Sequence, residues 1–179
     1  MGLVEKLLAG RKVRDLLLES SPRFDTIKSH LLSSGFSDDR LILTKEEEQE
    51  LVKTLIDIKV YRGVSVLRQR VTSQQYKELC DLRPGDVVPE FIAVNNKNRF
   101  TSATTKLSVA KHYVSGGNVS LVLQAESNKS NTWVNLKNLI KTDLAKEFDE
   151  DDLQYFKSSG EVLMKPNTEW KVLEIKIHK

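Results

Sequence analysis

The chain has 179 residues, 39% hydrophobic and 30% charged, with eight glycines and four prolines, which excludes fibrous, low-complexity and disordered classes and fits one packed domain. A formal charge of +3, spread over 28 basic and 25 acidic residues, falls far short of the clustered basic surface that carries nucleic-acid binding. Cys80 is the sole cysteine, so no intrachain disulfide forms, and no apolar run approaches the ~20 residues of a bilayer span. The expectation is a cytoplasmic protein without signal peptide or membrane partner. Lys6 stands where acylation at Gly2 needs Ser or Thr, which sets lipidation aside.

The first 59 residues read as a helical lobe. Val4, Leu7, Leu8, Val13, Leu16 and Leu17 recur at three- and four-residue spacing until Ser21-Pro22. A short helix is expected over 25–33, stopping at Gly35, and a third from Thr44, where Glu47 completes a capping box and Leu51, Leu55 and Ile58 form an apolar stripe. From residue 60 to 179 short β runs and turns take over, giving an α+β chain with no linker long enough to separate independent domains. Val60 to Val64 reads as a strand, Ser73 to Cys80 as a polar helix, and Leu82-Arg83-Pro84-Gly85-Asp86 as a turn. Residues 91–94 and 99–101 look extended, and Thr105 to Val114 helical. Val119, Leu121, Leu123 and Ala125 alternate with Ser120 and Gln124, which predicts a strand with one face on the core. Glu161 to Met164 and Lys171 to Ile177, joined through Lys165-Pro166-Asn167-Thr168, are expected to close the chain as a hairpin with Leu173, Ile175 and Ile177 on one face. The acidic runs Glu46-Glu47-Glu48 and 147–152 read as solvated surfaces. His30, His112, His178 and Cys80 lack metal-ligand spacing, so no metal is expected.

Three segments occur in an informative order: Tyr61-Arg62-Gly63, then Arg99-Phe100-Thr101-Ser102-Ala103-Thr104, then Ser159-Gly160-Glu161-Val162-Leu163-Met164. With the Pro-Gly-Asp turn before the second and the closing run Glu161 to Val172, they resemble the arginine, serine and glutamate strands of mono-ADP-ribosyltransferases. That family includes the small transferases of T-even bacteriophages and the binary actin-modifying toxins. The resemblance covers about Val60 to Ile177. It implies two mainly antiparallel sheets around an NAD cleft, a catalytic core over 60–179 behind the helical lobe, and NAD as co-substrate. The acceptor it implies is a macromolecule, a host protein in a bacterial cytoplasm if the chain is phage-encoded; a nucleic-acid acceptor is not indicated by charge.

The resemblance also assigns roles. Glu161, Ser102 and Arg62 stand at the catalytic positions; Gly63, Thr101, Thr104 and Tyr113 join them around NAD, with Tyr113 against nicotinamide. Tyr155, Phe156 and Ser159 fall where the acceptor is recognised. The chemistry explains the residue types. Cleavage of a glycosidic bond develops positive charge on the sugar, which a fixed carboxylate stabilises. A guanidinium fork suits pyrophosphate, and a hydroxyl orients the carboxylate or the ribose. One departure stands out: where arginine-modifying members carry a glutamate and asparagine-modifying members a glutamine, this chain has Ser159. If residues 159–161 are one strand, Ser159 faces the acceptor beside Glu161, and a hydroxyl is no carboxylate base. Two other readings stay open: an NAD glycohydrolase, with water as acceptor, and a transferase-like binding module without activity.

Overall fold

A computed structural model describes residues 2–8, 43–92, 101–114, 116–165 and 168–178. Residues 3–8 are helical. From residue 43 the described elements are α1 (Lys45–Val52), β1 (Ile58–Val66), α2 (Ser73–Asp81), β2 (Thr101–Thr104), α3 (Leu107–His112) and β3 (Val119–Ser127). They continue with β4 (Thr132–Asn135), α4 (Leu136–Leu139), α5 (Glu150–Ser159), β5 (Glu161–Met164) and β6 (Lys171–Ile177). The fold is α+β. The apolar helical run through Val13, Leu16 and Leu17, the helix expected over 25–33 and residues 93–100 of the expected extended runs lie outside the described residues; of the run expected over 91–94, residues 91–92 form a turn instead.

Local chemistry sets the helix ends. Thr44 accepts from the Glu47 amide at 3.2 Å and Glu47 accepts from the Thr44 amide at 2.8 Å, the reciprocal capping box anticipated for α1. Thr72 and Gln75 open α2 in the same way. α1 is shorter than its apolar stripe, because the Thr54 hydroxyl takes the Leu51 carbonyl at 2.7 Å and offers the backbone a route out of the helix. Leu55 therefore lies beyond α1, and Ile58 opens β1 instead of extending the stripe. Lys6 clips the 3–8 helix to α1 through Glu47 at 2.6 Å, and this contact, with the Thr44 amide, holds the Glu47 carboxyl below the usual glutamate range. Leu7 and Leu51 share a buried cluster with Trp133, Val134, Leu139, Phe148 and Phe156.

Among the described residues the strands form one six-stranded sheet, β4-β5-β2-β1-β3-β6, with every neighbouring pair antiparallel. Two separate sheets were expected, and the register explains the difference. β1 spends its whole length on β3, from Ile58↔Ser127 to Val66↔Val119, and β2 spends its four residues on β5. Their own junction is a single pair, Tyr61↔Thr104. Two three-stranded halves thus meet at a narrow seam that makes the sheet continuous.

The closing hairpin does not form: β5 pairs with β2 and β4, whereas β6 pairs with β3 at the opposite end of the sheet. Burial is consistent with this: Val162 and Met164 sit in one core with Val60, Ala103, Leu121 and Trp170, while Leu163 sits in the other, so β5 lies between the two clusters. β6 carries Lys171, Glu174 and Lys176, as an edge strand does. β3 buries Val119, Leu121, Leu123 and Ala125 as expected, but Ser120 and Val122 on its other face are buried as well, so the one-sided alternation shows only from Gln124 onward, because the strand lies inside the sheet between β1 and β6. The Pro-Gly turn is type II in form, with Gly85 at φ 99° and the Asp86 amide bonded to the Arg83 carbonyl at 3.1 Å.

α3 lies directly on β1. A Cβ on Gly63 would come within 2.2 Å of the Ala110 carbonyl oxygen, so the helix axis can approach this closely only because residue 63 has no side chain. Gly63→Ala is expected to cost about 1–3 kcal/mol, roughly 2–12 °C in Tm; thermal denaturation followed by circular dichroism checks it, and an unchanged Tm would show that α3 shifts freely.

Candidate active site

The seam supplies the site. β1 presents the row Val60, Arg62, Val64, Val66 on one face, three apolar side chains interrupted by a guanidinium. Across the seam, Arg62 Nη1 donates to the Ser102 backbone carbonyl at 2.5 Å, so the arginine ties β1 to β2 beside their one register pair. Ser102 and Glu161 are diagonal neighbours on β2 and β5, whose pairs are Ser102↔Leu163 and Thr104↔Glu161. The Ser102 hydroxyl donates to Glu161 Oε1 at 2.5 Å, and Glu161 is only 3% exposed. A carboxylate so deeply buried is favourable only where hydrogen bonds and an opposite charge meet it. Arg62, Ser102 and Glu161, 40 and 59 residues apart along the chain, therefore converge on one place.

They line a cavity of about 360 Å³ together with Gly63, Thr104, Tyr113, Tyr155 and Ser159, at the small end of the range for ligand sites. Tyr61, Ala103, Val109 and Ala110 complete the wall. Tyr113 is the C-cap of α3 and stands 68% exposed at the rim. Its placement beside Gly63 follows from the same close approach that excludes a Cβ there.

The other wall is the C-terminal end of α5. Asp149 caps the start of this helix by accepting from the Asp152 amide at 2.8 Å, and Glu150, Asp151 and Asp152 fill its first turn, so the acidic run is accounted for by the helix dipole. At the far end Gly160 adopts the left-handed conformation, φ 60°, ψ 32°, and a Cβ there would stand 2.7 Å from Thr105 Oγ1. Ser159 is consequently the last residue of a helix and not part of the Glu161 strand, which corrects the strand-parity expectation. It still reaches the cavity, and its buried hydroxyl has no hydrogen-bond partner among the described residues.

Three expected site residues take other roles. Thr101 is 3% exposed, pairs with Met164 and does not line the cavity, because it alternates to the face opposite Ser102. Phe156 is 1% exposed and packs edge-on against Phe148 at 5.3 Å, so it belongs to the core while its neighbour Tyr155 faces the cavity. Thr104 lines the cavity, but its hydroxyl donates to the Ser159 carbonyl at 2.8 Å and accepts from the Lys106 amide at 3.0 Å. Lys106, which the sequence alone gave no reason to single out, donates from Nζ to the Ser158 carbonyl at 2.6 Å. These bonds clamp the end of α5 onto the start of α3 and hold Glu161 in register.

Among the described residues there is no group of three or more His, Cys, Asp or Glu placed to hold a metal ion, and no helix long and apolar enough to cross a membrane. No known protein family, curated protein or solved structure matches the chain.

Thr104→Val keeps the shape and removes the clamp, leaving the Ser159 carbonyl and the Lys106 amide unsatisfied. The expected loss is about 1–3 kcal/mol in denaturant titration, with Thr104→Ser close to wild type. Equal stability of the Val and Ser variants would show that the hydroxyl contributes nothing.

Proposed function

We propose that this chain is an NAD-dependent mono-ADP-ribosyltransferase that passes ADP-ribose to a macromolecular acceptor and releases nicotinamide. The observation that carries the proposal is the convergence of Arg62, Ser102 and Glu161 on one cavity from three different strands. A cavity of about 360 Å³ takes one end of a dinucleotide and leaves the remainder to its rim. The donor set fits that ligand: a guanidinium for pyrophosphate, a buried carboxylate, unpaired hydroxyl capacity at Ser159 and an exposed ring at Tyr113 for stacking.

NAD supplies the glycosidic bond whose cleavage puts positive charge on the ribose. Glu161 offers a buried carboxylate fixed in position, so little solvent has to reorganise when that charge appears. Ser102 fixes the carboxylate by donating to Oε1. Arg62 positions the phosphates and lies in the half of the sheet opposite Glu161. Thr104, bonded to Ser159 and Lys106, positions the acceptor wall without touching the reacting atoms. Ser159 has no carboxylate to offer an acceptor, so either the acceptor needs little activation or it brings its own base; water as acceptor is the reading that nicotinamide release without labelling would support.

Glu161→Gln keeps the Ser102 contact and the shape while removing the charge, and is expected to lower nicotinamide release on the order of 10²-fold or more with NAD affinity largely retained. Arg62→Lys in the same series is expected to weaken NAD binding in calorimetry, because the fork is lost and the charge kept. Near-wild-type turnover in Glu161→Gln would end the proposal.

Ser159→Ala deletes a hydroxyl that has no hydrogen-bond partner among the described residues. It is expected to leave nicotinamide release within about tenfold of wild type and to change labelling of acceptors in bacterial lysate with labelled NAD. A loss of cleavage as large as that in Glu161→Gln would place Ser159 in the cleavage machinery.

A further inference from the structure

β6 forms one edge of the sheet, and only part of that edge is covered. Residues 85–88 run along its start: the Gly85 amide donates to the Val172 carbonyl at 2.8 Å, the Val172 amide to the Asp86 carbonyl at 2.8 Å, and the Val88 amide to the Trp170 carbonyl at 2.9 Å. Among the described residues no backbone bond continues this cover beyond Val172. At the other end the His178 amide donates to the Asn118 carbonyl at 2.8 Å, toward β3. By the two-residue alternation of an antiparallel ladder, the backbone groups of Lys176 also face β3, and those of Ile175 and Ile177 point outward. Among the described residues, none pairs with these outward groups. The opposite edge differs, since all four residues of β4 are buried.

An open edge invites pairing, and the side chains of this one define a partner. Glu174 and Lys176 lie on one face, both in exposed positions; Ile175 and Ile177 lie on the other, the last 44% exposed, and a bulge at Leu173 ends the regular alternation. Antiparallel self-pairing about a twofold axis must bring same-face residues together, so the axis passes through a residue. With the axis at Glu174 or at Lys176, identical charges oppose each other directly. With the axis at Ile175, Glu174 meets Lys176 of the partner subunit and Lys176 meets Glu174 of the partner subunit. In that register the outward groups of Ile175 bond across the axis, and the two charge pairs fall at the close-spaced, non-hydrogen-bonded positions where cross-strand contact is tightest.

We propose that β6 pairs antiparallel with β6 of a second copy of this chain about a twofold axis at Ile175, joining two six-stranded sheets into one. The interface is isologous and closes at two subunits. Its main-chain bonds provide attachment, and the Glu174 and Lys176 pairs select the register. Glu174 also meets Lys111 at 2.6 Å, but their side chains are 49% and 45% exposed, so that pair contributes little by itself.

The test is sedimentation equilibrium of the full chain over about 1–200 µM, where a short interface of this kind is measurable. The wild type is expected to show a concentration-dependent dimer. Lys176→Glu and Glu174→Lys, each setting two like-charge pairs across the axis, are expected to weaken it on the order of tenfold, and the double exchange to restore it to within about threefold. Melting curves of all four proteins confirm that the monomer fold is retained. A wild type that stays monomeric throughout, single variants that dimerise like the wild type, or a double variant no better than the singles would each overturn the proposal.

Discussion

The structure depends on a seam. β1 and β2 share one register pair, Tyr61↔Thr104, and the Arg62 guanidinium bonded to the Ser102 carbonyl beside it. Everything else in the sheet is paired generously: nine register positions join β1 to β3, and β2 matches β5 along its full length. A sheet that stayed flat across this junction would hide Arg62 in its interior, where an ionised guanidinium is expensive. Splitting the sheet into halves opens a cavity instead, and the charge gains both a carbonyl partner and access to solvent. The site is the consequence of an arginine placed in an otherwise apolar row.

Two close approaches shape the walls of that cavity, and each rests on a missing Cβ. Gly63 lets α3 lie on β1, which brings Tyr113 to the rim. Gly160 turns the chain from α5 into β5 in the left-handed conformation, within reach of Thr105. The Thr104 and Lys106 bonds then fasten the end of α5. Helix, turn and strand are consequently held together around Glu161, and the carboxylate keeps its orientation although only four residues of strand support it.

Much of this was legible in the sequence, for reasons that differ by element. The capping box at Thr44, the Pro84-Gly85 turn and the existence of β3 are decided by neighbours in the chain, and reading them needs no tertiary information. The grouping of Arg62, Ser102 and Glu161 came from resemblance and is matched by their geometry, although their roles rest on the proposal. What sequence pattern could not supply is which strand pairs with which: the runs 161–164 and 171–177 were visible, but their separation to different halves of the sheet is a long-range matter that goes with burial on both faces of β5. β4, Thr-Trp-Val-Asn, escaped notice because all four residues are buried and so show no alternation. Ser159 was misplaced onto a strand because the same glycine can continue a strand or end a helix, and the left-handed cap at Gly160 decides it. Phe156 and Tyr155 are adjacent and chemically alike, yet helix geometry points one at the core and the other at the cavity.

The halves of the sheet also differ in sign at the cavity. The cationic group stands on the β1 side and the anionic group on the β5 side, a few residues from the line where the halves meet. The cavity therefore has a polarity, with field lines running across the seam. A ligand carrying negative charge at one end and positive charge at the other experiences a torque before any hydrogen bond forms, and enters in a single orientation. Two orientations of the same molecule would differ in energy even if every contact distance were equal. Under the proposed function, selection of the way round would thus be built into the architecture of the sheet, ahead of the individual side chains that would hold the ligand in place.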